Sequence, residues 1–513
     1  MPAEVSTPAR KILPIEELAR RVSDLKAQGK TVVMCHGVFD LLHVGHIRHL
    51  QEAREQGDVL VVTLTSDVHV NKGPDRPAFT ETLRAEALAA LTVVDFVAIN
   101  RWPRAVETIK LVAPDVYAKG PDYRNAADDV TGGIVEEENA IRGVGGRIYY
   151  TEDVTFSSTA LINRHLSSYS QEVNDYLVGL RERLTPGDVR QALDAVRGLR
   201  VAVVGEAIID EYVYVDQMGK SSKEPVLAMR YASTEQFAGG ALAIANNVAS
   251  FTDDVRLVTF LGTEDSREEF VRAKLAHNVT PRFFYKRNSP TIVKRRYVES
   301  YLLSKLFEVY FFNDEAIDEE EAAPFCEELE SVCADVDLVI VGDFGHGILS
   351  PRAIFTMESN AKFLAINTQQ NAANIGYHTI SRYKHADFIC IQEGELRQDA
   401  RMRVGPVEPL VRELSQRLGS PNVLVTQGKR GAMFYREKDG LFWGPAFARS
   451  VVDRIGAGDA VLSVVSPMAA LGMPGDMIAF VANVIGAQAA QIIGNRTAVD
   501  RVATLKFVEA LLK

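Results

Sequence analysis

The sequence is short of cysteine, of basic charge and of long apolar runs. Its four cysteines, Cys35, Cys326, Cys333 and Cys390, make no Cys-x-x-Cys pair. That excludes a disulfide-stapled scaffold and points to a reducing compartment. Lysine and arginine number 57 against 68 aspartates and glutamates, for a formal net charge of -11. Such a surface repels nucleic-acid backbones and anionic lipid, so neither nucleic acid nor membrane is an expected partner. Small anions are different, because helix N-termini and single cations hold them locally. No uninterrupted apolar run reaches the length of a membrane span, and the opening residues MPAEVSTPARK lack an apolar signal core. The expectation is a soluble cytoplasmic protein. Short-period repeats and low-complexity tracts are also missing.

What is present is 513 residues with 47% apolar content, too many for one ordinary core. Strand-like runs at 31–36, 58–65, 94–99, 115–119 and 147–151 alternate with helical patterns, one of them at 80–91 with Thr80 as its cap. A polar helical stretch follows, with a helix start at Thr185-Pro186. A second series of strand-like runs begins at 199–204 and returns at 337–341, 363–366, 387–391 and 422–426. The expected fold is α/β, with two doubly wound domains at 28–165 and 197–513 joined by a helical linker at 166–196.

Two strings carry chemistry. In CHGVFDLLHVGH, residues 35–46, a strand end, a turn at Gly37 and a helix start bring main-chain N–H groups to one point. His43 and His46 share a face there and can donate to phosphate oxygens, and Gly45 lets phosphates approach the backbone. Two surface histidines or a metal pair are the alternatives, although no His-Glu-x-x-His spacing is present. In DRIGAGDAV, residues 453–461, Gly456, Ala457 and Gly458 lead into an apolar helix. Their amides can hold a migrating phosphoryl group, with Asp459 in the first turn as a base for an attacking hydroxyl. A plain turn before a helix is the alternative.

The first string resembles the cytidylyltransferase-like family, whose mark is His-x-Gly-His after a Gly-x-Phe-Asp turn. The resemblance implies a Rossmann-like nucleotidyltransferase with Gly37, Phe39 and Gly45 around the phosphates. It assigns transition-state stabilisation to His43 and His46 and phosphate contact to Lys72. Arg76-Pro77 and Arg84 fall in a basic loop and helix of its heptose-phosphate adenylyltransferase branch. Lys119-Gly120 with Asp122-Tyr123 resembles that branch's Lys-Gly-x-Asp-Tyr signature, and Ser157, Ser158 and Thr159 its hydroxyl-rich phosphate turn, which is otherwise an ordinary N-cap.

The second string resembles ribokinase-family carbohydrate kinases, with Asp459 as base and Gly456, Ala457 and Gly458 as anion hole. That resemblance places Asp210, Gly239, Gly240 and Asn247 on the sugar, and Thr426, Gly428 and Gly431 on the nucleotide. Strands at 225–232 and 291–299 resemble a small β-lid that in this family often makes a homodimer. Lys294 and Arg296 alternate on one side of such a strand and face either a sugar phosphate or solvent. SSKEPV (221–226), TIVKRRYV (291–298) and VGDFGHGILS (341–350) extend the match.

Together the halves resemble bifunctional heptose 7-phosphate kinase and heptose 1-phosphate adenylyltransferase, which makes ADP-heptose for lipopolysaccharide. The resemblance implies nucleoside triphosphate and sugar phosphate substrates, with Mg²⁺ accompanying ATP (or CTP). It also implies a kinase-first order, which is reversed in this chain. Three departures stand out. Asn367-Thr368-Gln369 replaces Asp-Pro-Lys, Gln392 replaces the asparagine of an Asn-x-x-Glu whose glutamate is Glu395, and Ala243 replaces an asparagine. In the family the Asn-x-x-Glu helps arrange Mg²⁺, which makes Glu395 the candidate metal residue. The departures leave open a kinase-like domain that serves only for binding or dimerisation, and a transferase that uses CTP or another sugar or polyol phosphate.

Overall fold

In the computed structural model, residues 8–70, 73, 76–124, 133–152 and 169–513 are described. The chain divides into two units. One holds residues up to Ser170 together with Leu505–Lys513, and the other holds Gln171–Thr504.

Five short apolar runs of the first unit form parallel strands: β1 (Val32–Gly37), β2 (Val59–Thr65), β3 (Phe96–Asn100), β4 (Val116–Lys119) and β5 (Arg147–Tyr150). Their order is β3-β2-β1-β4-β5. Side chains alternate across a strand, so each run feeds two cores. Val33, Cys35, Leu60 and Val62 pack with Leu50, Ala85 and Leu88 on one face. Val32, Met34, Val59 and Val61 pack with Ile15, Leu18, Val22 and Ile109 on the other. The helix Ile15–Ala27, ahead of the expected start at 28, therefore belongs to this unit's core. The order reverses between β1 and β4, and at such a crevice α/β sheets bind ligands.

The stretch expected to be a linker forms two helices, Gln171–Arg181 and Pro186–Val196. Thr185 and Asp188 close a capping box at the second, with Pro186 in its first turn. Leu177, Leu180, Val189, Leu193 and Val196 are buried, and Tyr176 stands against Trp443 and Phe447. Both helices are packed parts of the second unit, because their apolar faces have a core to cover.

That unit contains a nine-stranded sheet. It is built from β6 (Arg200–Gly205), β9 (Asp254–Gly262), β10 (Val279–Lys286), β13 (Leu338–Asp343), β14 (Leu364–Thr368), β15 (Phe388–Gln392), β16 (Asn422–Thr426), β17 (Ala432–Arg436) and β18 (Gly440–Gly444). The order is β10-β9-β6-β13-β14-β15-β16-β17-β18, parallel up to β16 and antiparallel beyond. A second sheet, β12-β11-β7-β8, comprises β7 (Ala207–Lys220), β8 (Leu227–Gly240), β11 (Ile292–Glu299) and β12 (Lys305–Phe311). It is the expected lid with two more strands than the sequence suggested. β7 and β8 are buried at their body ends and exposed at their far ends. Glu206, Asp343, Gln369, Gln392 and Thr426 all stand at or just beyond the carboxyl ends of the parallel strands.

Candidate active sites

In the first unit the site grows from the end of β1. Phe39 adopts φ +50° and is buried, which turns the chain after Gly37. A Cβ on Gly37 would lie 3.2 Å from the Phe39 ring, so the turn is tight. His43 is the N-cap of the helix Val44–Arg54, and its Nδ1 accepts from the Gly45 amide at 3.1 Å. Burial lowers the His43 pKa. The neutral ring therefore carries its hydrogen on Nε2, as a donor. The His46 ring stacks on it with centroids 4.0 Å apart, and Phe39 meets His46 edge-on at 5.3 Å. His43, Gly45 and His46 are thus brought together at a helix start.

The basic residues behind this loop have other work. Arg84 is buried and donates to the carbonyls of Val38, Thr65 and Phe79 and to the Asp67 carboxylate. It ties the β1 and β2 ends to its own helix, Glu81–Ala89. Arg76 pairs with the buried Asp40 at 2.6 Å, and Asp40 also accepts from the Ala78 amide. Thr80 makes no side-chain cap. Asp67 reaches over from the end of β2 and accepts from the Glu81 amide at 3.0 Å, while Glu81 accepts from the Asp67 amide. Lys119, expected on phosphate, pairs with Glu137 at 2.7 Å and lies 4.6 Å from the Tyr123 ring centre. Burial works against its charge, yet Tyr117 and Glu137 hold its pKa well above the ordinary value. In this geometry it is a buried brace.

Two further histidines flank the crevice without a sequence signal. His36 contacts the hydroxyls of Thr63 and Thr65, and burial with the nearby Lys119 charge pushes its pKa down to about 3. His49 contacts the Thr151 hydroxyl and is lowered to about 4, chiefly by burial. Both are neutral imidazoles at neutral pH. Asp122 lends its backbone to the short turn Pro121–Tyr123. Lys72, Ser157, Ser158 and Thr159 lie outside the described residues.

In the second unit Asp459 sits in the first turn of the helix Ala457–Ala470, 6% exposed. Burial and the Asp210 charge push its pKa up to about 7, against the Gln369 donor and the Lys294 charge. The Gln369 side-chain amide donates to its Oδ1. Gly456, the N-cap, has φ +80°, and a Cβ there would lie 2.0 Å from Asn495 Oδ1. No side chain fits this turn without strain or displacement. Gly458 faces open space. The Gly456-Ala457-Gly458 amides and the Asp459 carboxylate are thus at one helix start, as expected.

Asp210 on β7 accepts from Arg296 at 2.5 Å and from Asn495 at 3.2 Å. Gly239 lies alongside it on β8, and a Cβ there would fall 2.2 Å from Asp210 Oδ2. Gly240 takes φ +55° as the chain enters the helix Ala241–Ala249. Arg296 also pairs with Glu308 at 3.0 Å. It is committed to two carboxylates, because two lid strands place acids on either side of it, and is not an open phosphate site. Lys294 is opposite Asp210 in register, 7% exposed, between the Tyr310 and Phe344 rings. Burial lowers its pKa, and no ion pair engages it among the described residues. Asn247 spends its amide on the Ala243 carbonyl and the Val499 N–H. It braces the turn after Asn495 and does not face a sugar.

On the other flank, Thr426 ends β16, and Gly428 and Gly431 take φ +58° and +92°. Gln427, Arg430 and Arg397 converge on Glu393. Glu395, the candidate metal residue, accepts from the Gln370 and Gln392 amides, both at 3.1 Å. Its two oxygens pin adjacent strand ends, so it acts as a loop brace. Among the described residues no group of three or more His, Cys, Asp or Glu side chains could hold a metal ion.

Sequence reasoning missed several residues that order this site. Asp453 accepts from the Tyr212 hydroxyl at 2.6 Å, from Lys305 at 2.5 Å and from the Gly494 and Ile455 amides. It bolts the lid to the glycine turn. Glu206, pushed up to about 7 by burial and by Asp343, accepts from the Phe344 and His346 amides. Asp343 is held ionised against its burial by His378 and Arg382. Asp453 carried a hint as the first residue of the glycine motif, and Asp343 as part of the string VGDFGHGILS.

Comparison with known proteins agrees with this division. The profile described as "pfkB family carbohydrate kinase" matches residues 199–501, and the one described as "Cytidylyltransferase-like" matches 34–164. Proteins named "Bifunctional protein HldE" are similar over the transferase-like part. That of Syntrophotalea carbinolica is 40% identical over 149 residues, 28% of this chain and 29% of that protein. That of Citrifermentans bemidjiense is 40% identical over 162 residues, 31% of this chain and 32% of that protein. The chain thus spans about three-tenths of the length of these relatives. Nothing in the matched stretches shows an inversion, and the expectation of a reversed domain order is withdrawn. Phosphofructokinase-2 from Escherichia coli, in complex with substrates and products, superposes with a TM-score of 0.50 at 14% identity. The match covers 61% of this chain and 100% of that one, a likeness of fold.

Proposed function

Because the chain belongs to the pfkB family of carbohydrate kinases and carries a cytidylyltransferase-like unit ahead of that domain, we propose that it is a two-activity enzyme of activated-sugar synthesis. The kinase unit phosphorylates the anomeric hydroxyl of heptose 7-phosphate. The transferase unit joins an adenylyl group to heptose 1-phosphate and releases pyrophosphate.

The observation that carries the kinase reading is the Asp459 carboxyl, buried at a glycine helix start with a pKa near 7. A base with that pKa takes the sugar hydroxyl proton at neutral pH. The sugar oxygen then bonds to the γ-phosphorus, the bond from that phosphorus to the β–γ bridging oxygen breaks, and ADP leaves. The main-chain amides of Gly456, Ala457 and Gly458 face the charge that develops. Asp210 orients sugar hydroxyls. Lys294, a buried ammonium outside any ion pair among the described residues, suits the sugar's phosphate. In the other unit a sugar phosphate oxygen attacks the α-phosphorus, and the His43 Nε2–H and the His46 ring steady the departing charge. Mg²⁺ bound to the triphosphate would supply charge neutralisation at the phosphates.

A cytoplasmic location suits this reading, since all four cysteines are buried and free. A second copy of the chain is the proposed occupant of the lid's outer face, where Phe307, Val309 and Phe311 are exposed on β12. Light scattering of the chain and of Phe307→Glu tests that dimer; equal masses would refute it.

The deciding experiment measures ADP release from ATP with heptose 7-phosphate, and pyrophosphate release from ATP and from CTP with heptose 1-phosphate. Asp459→Asn should stop the first alone, and His46→Ala the second alone. A kinase rate unchanged in Asp459→Asn would eliminate Asp459 as the base, and no ADP release by the parent would leave that unit a binding module. Turnover with CTP in place of ATP would overturn the adenylyl assignment.

A further inference from the structure

We propose that Gln369 is a positioning residue for the kinase base, its side-chain amide holding the Asp459 carboxylate in place and favouring its charged form. The inference rests on the assignment of Asp459 as that base. Among the described residues Gln369 is the one side-chain donor on this carboxylate.

The loop that carries Gln369 is fixed at both ends of its turn. The Gln369 amide donates to the Asp343 carbonyl at 2.8 Å, continuing the β13–β14 pairing by one residue. The next amide, of Gln370, donates to Glu395. The Asn371 and Asn374 side chains both donate to the Phe344 carbonyl, at 3.0 and 3.1 Å. Gln369 therefore leaves a braced main chain, and its amide reaches the helix Ala457–Ala470 with little freedom to lose.

Several charged groups act on Asp459. Asp210 on β7 and Glu395 on the helix Glu393–Asp399 disfavour its charge, and Lys294 on β11 favours it. With two acids against one lysine in a buried site, a neutral donor on the carboxylate shifts the balance toward ionisation. A glutamine supplies the hydrogen bond without the charge, which leaves the base titrating near neutrality.

The test uses the full chain with aspartate labelled with carbon-13 at Cγ. Asp459→Asn identifies the Asp459 resonance, which is then titrated in the parent and in Gln369→Leu, Gln369→Lys and Gln369→Glu. The midpoint should rise by about one pH unit in Gln369→Leu, the size of one hydrogen bond to a charged acceptor. It should rise further in Gln369→Glu and fall below the parent in Gln369→Lys. The acid limb of kinase kcat should follow the same order, with kcat about fivefold lower in Gln369→Leu at about pH 7 and restored in Gln369→Lys, while KM for ATP stays within about twofold. Coincident midpoints, or midpoints unrelated to charge, would overturn the proposal. A packing role alone does not sort three substitutions by charge. Thermal melts reveal a variant that fails to fold, and the lysine and glutamate pair then carries the comparison. If the parent makes no ADP from any sugar phosphate, the kinase reading falls, while the carbon-13 midpoints still decide the Gln369 contact.

Discussion

Gly239→Ala is the sharpest probe of the sugar side. The added methyl would stand 2.2 Å from Asp210 Oδ2 and 2.9 Å from its Cγ. Asp210 cannot simply lean away, since Arg296 at 2.5 Å and Asn495 at 3.2 Å hold it from two sides. Gly239 has no positive φ, so backbone strain does not enter and the effect is steric. If Asp210 holds a sugar hydroxyl as proposed, displacing the carboxylate forfeits a charged hydrogen bond worth about 2 kcal/mol. That is about 30-fold in kcat/KM. Asp210→Ala should lose at least as much. If the glycine acts only by making room for that carboxylate, Gly239→Ala adds less than about threefold on the Asp210→Ala background, where independent effects would multiply to about 1,000-fold. The assay is ADP release at limiting heptose 7-phosphate for the parent, both single variants and the double. Multiplying losses, or a Gly239→Ala enzyme at the parent rate, would refute the reasoning.

Three other outcomes follow from the same geometry. Arg84→Met strips the donor from three carbonyls and Asp67, and should destabilise the first unit by about 3–5 kcal/mol in urea denaturation; a loss below about 1 kcal/mol contradicts the brace. Asp459 is held near 7, above its unfolded value, so the native state keeps a proton that the unfolded chain releases over about pH 4–7. This group's contribution to stability falls as pH rises through that window, and Asp459→Asn should melt above the parent at about pH 8 and level with it at about pH 4, by calorimetry. Chelation with EDTA should abolish both activities and leave the melting midpoint unchanged, because the metal is expected to arrive with the triphosphate; a lowered midpoint would reveal a structural metal.

The alternation of apolar runs was sufficient to place the five strands of the first unit's sheet and five of the nine strands of the second unit's large sheet, and the two glycine strings marked the candidate helix starts. His43, Gly45 and His46 are neighbours along the chain, as are Gly456 and Asp459, so one helix start presents each set whatever surrounds it. The sequence also marked a helix start at Thr185-Pro186, where the structure closes a capping box between Thr185 and Asp188.

What tertiary structure alone decided were the partners of the charged residues. Arg84, Lys119 and Arg296 look alike as basic residues near a phosphate site, yet each is paid out to carboxylates or carbonyls brought by other strands. Gln369 meets Asp459 across 90 positions, Tyr212 meets Asp453 across 241, and Asn495 meets Asp210 across 285. Asp67 caps a helix that Thr80 was expected to cap. Periodicity and local motifs register forces within a turn or a strand. A hydrogen bond between distant segments leaves no spacing to read, because its distance is set by how the sheets and helices pack.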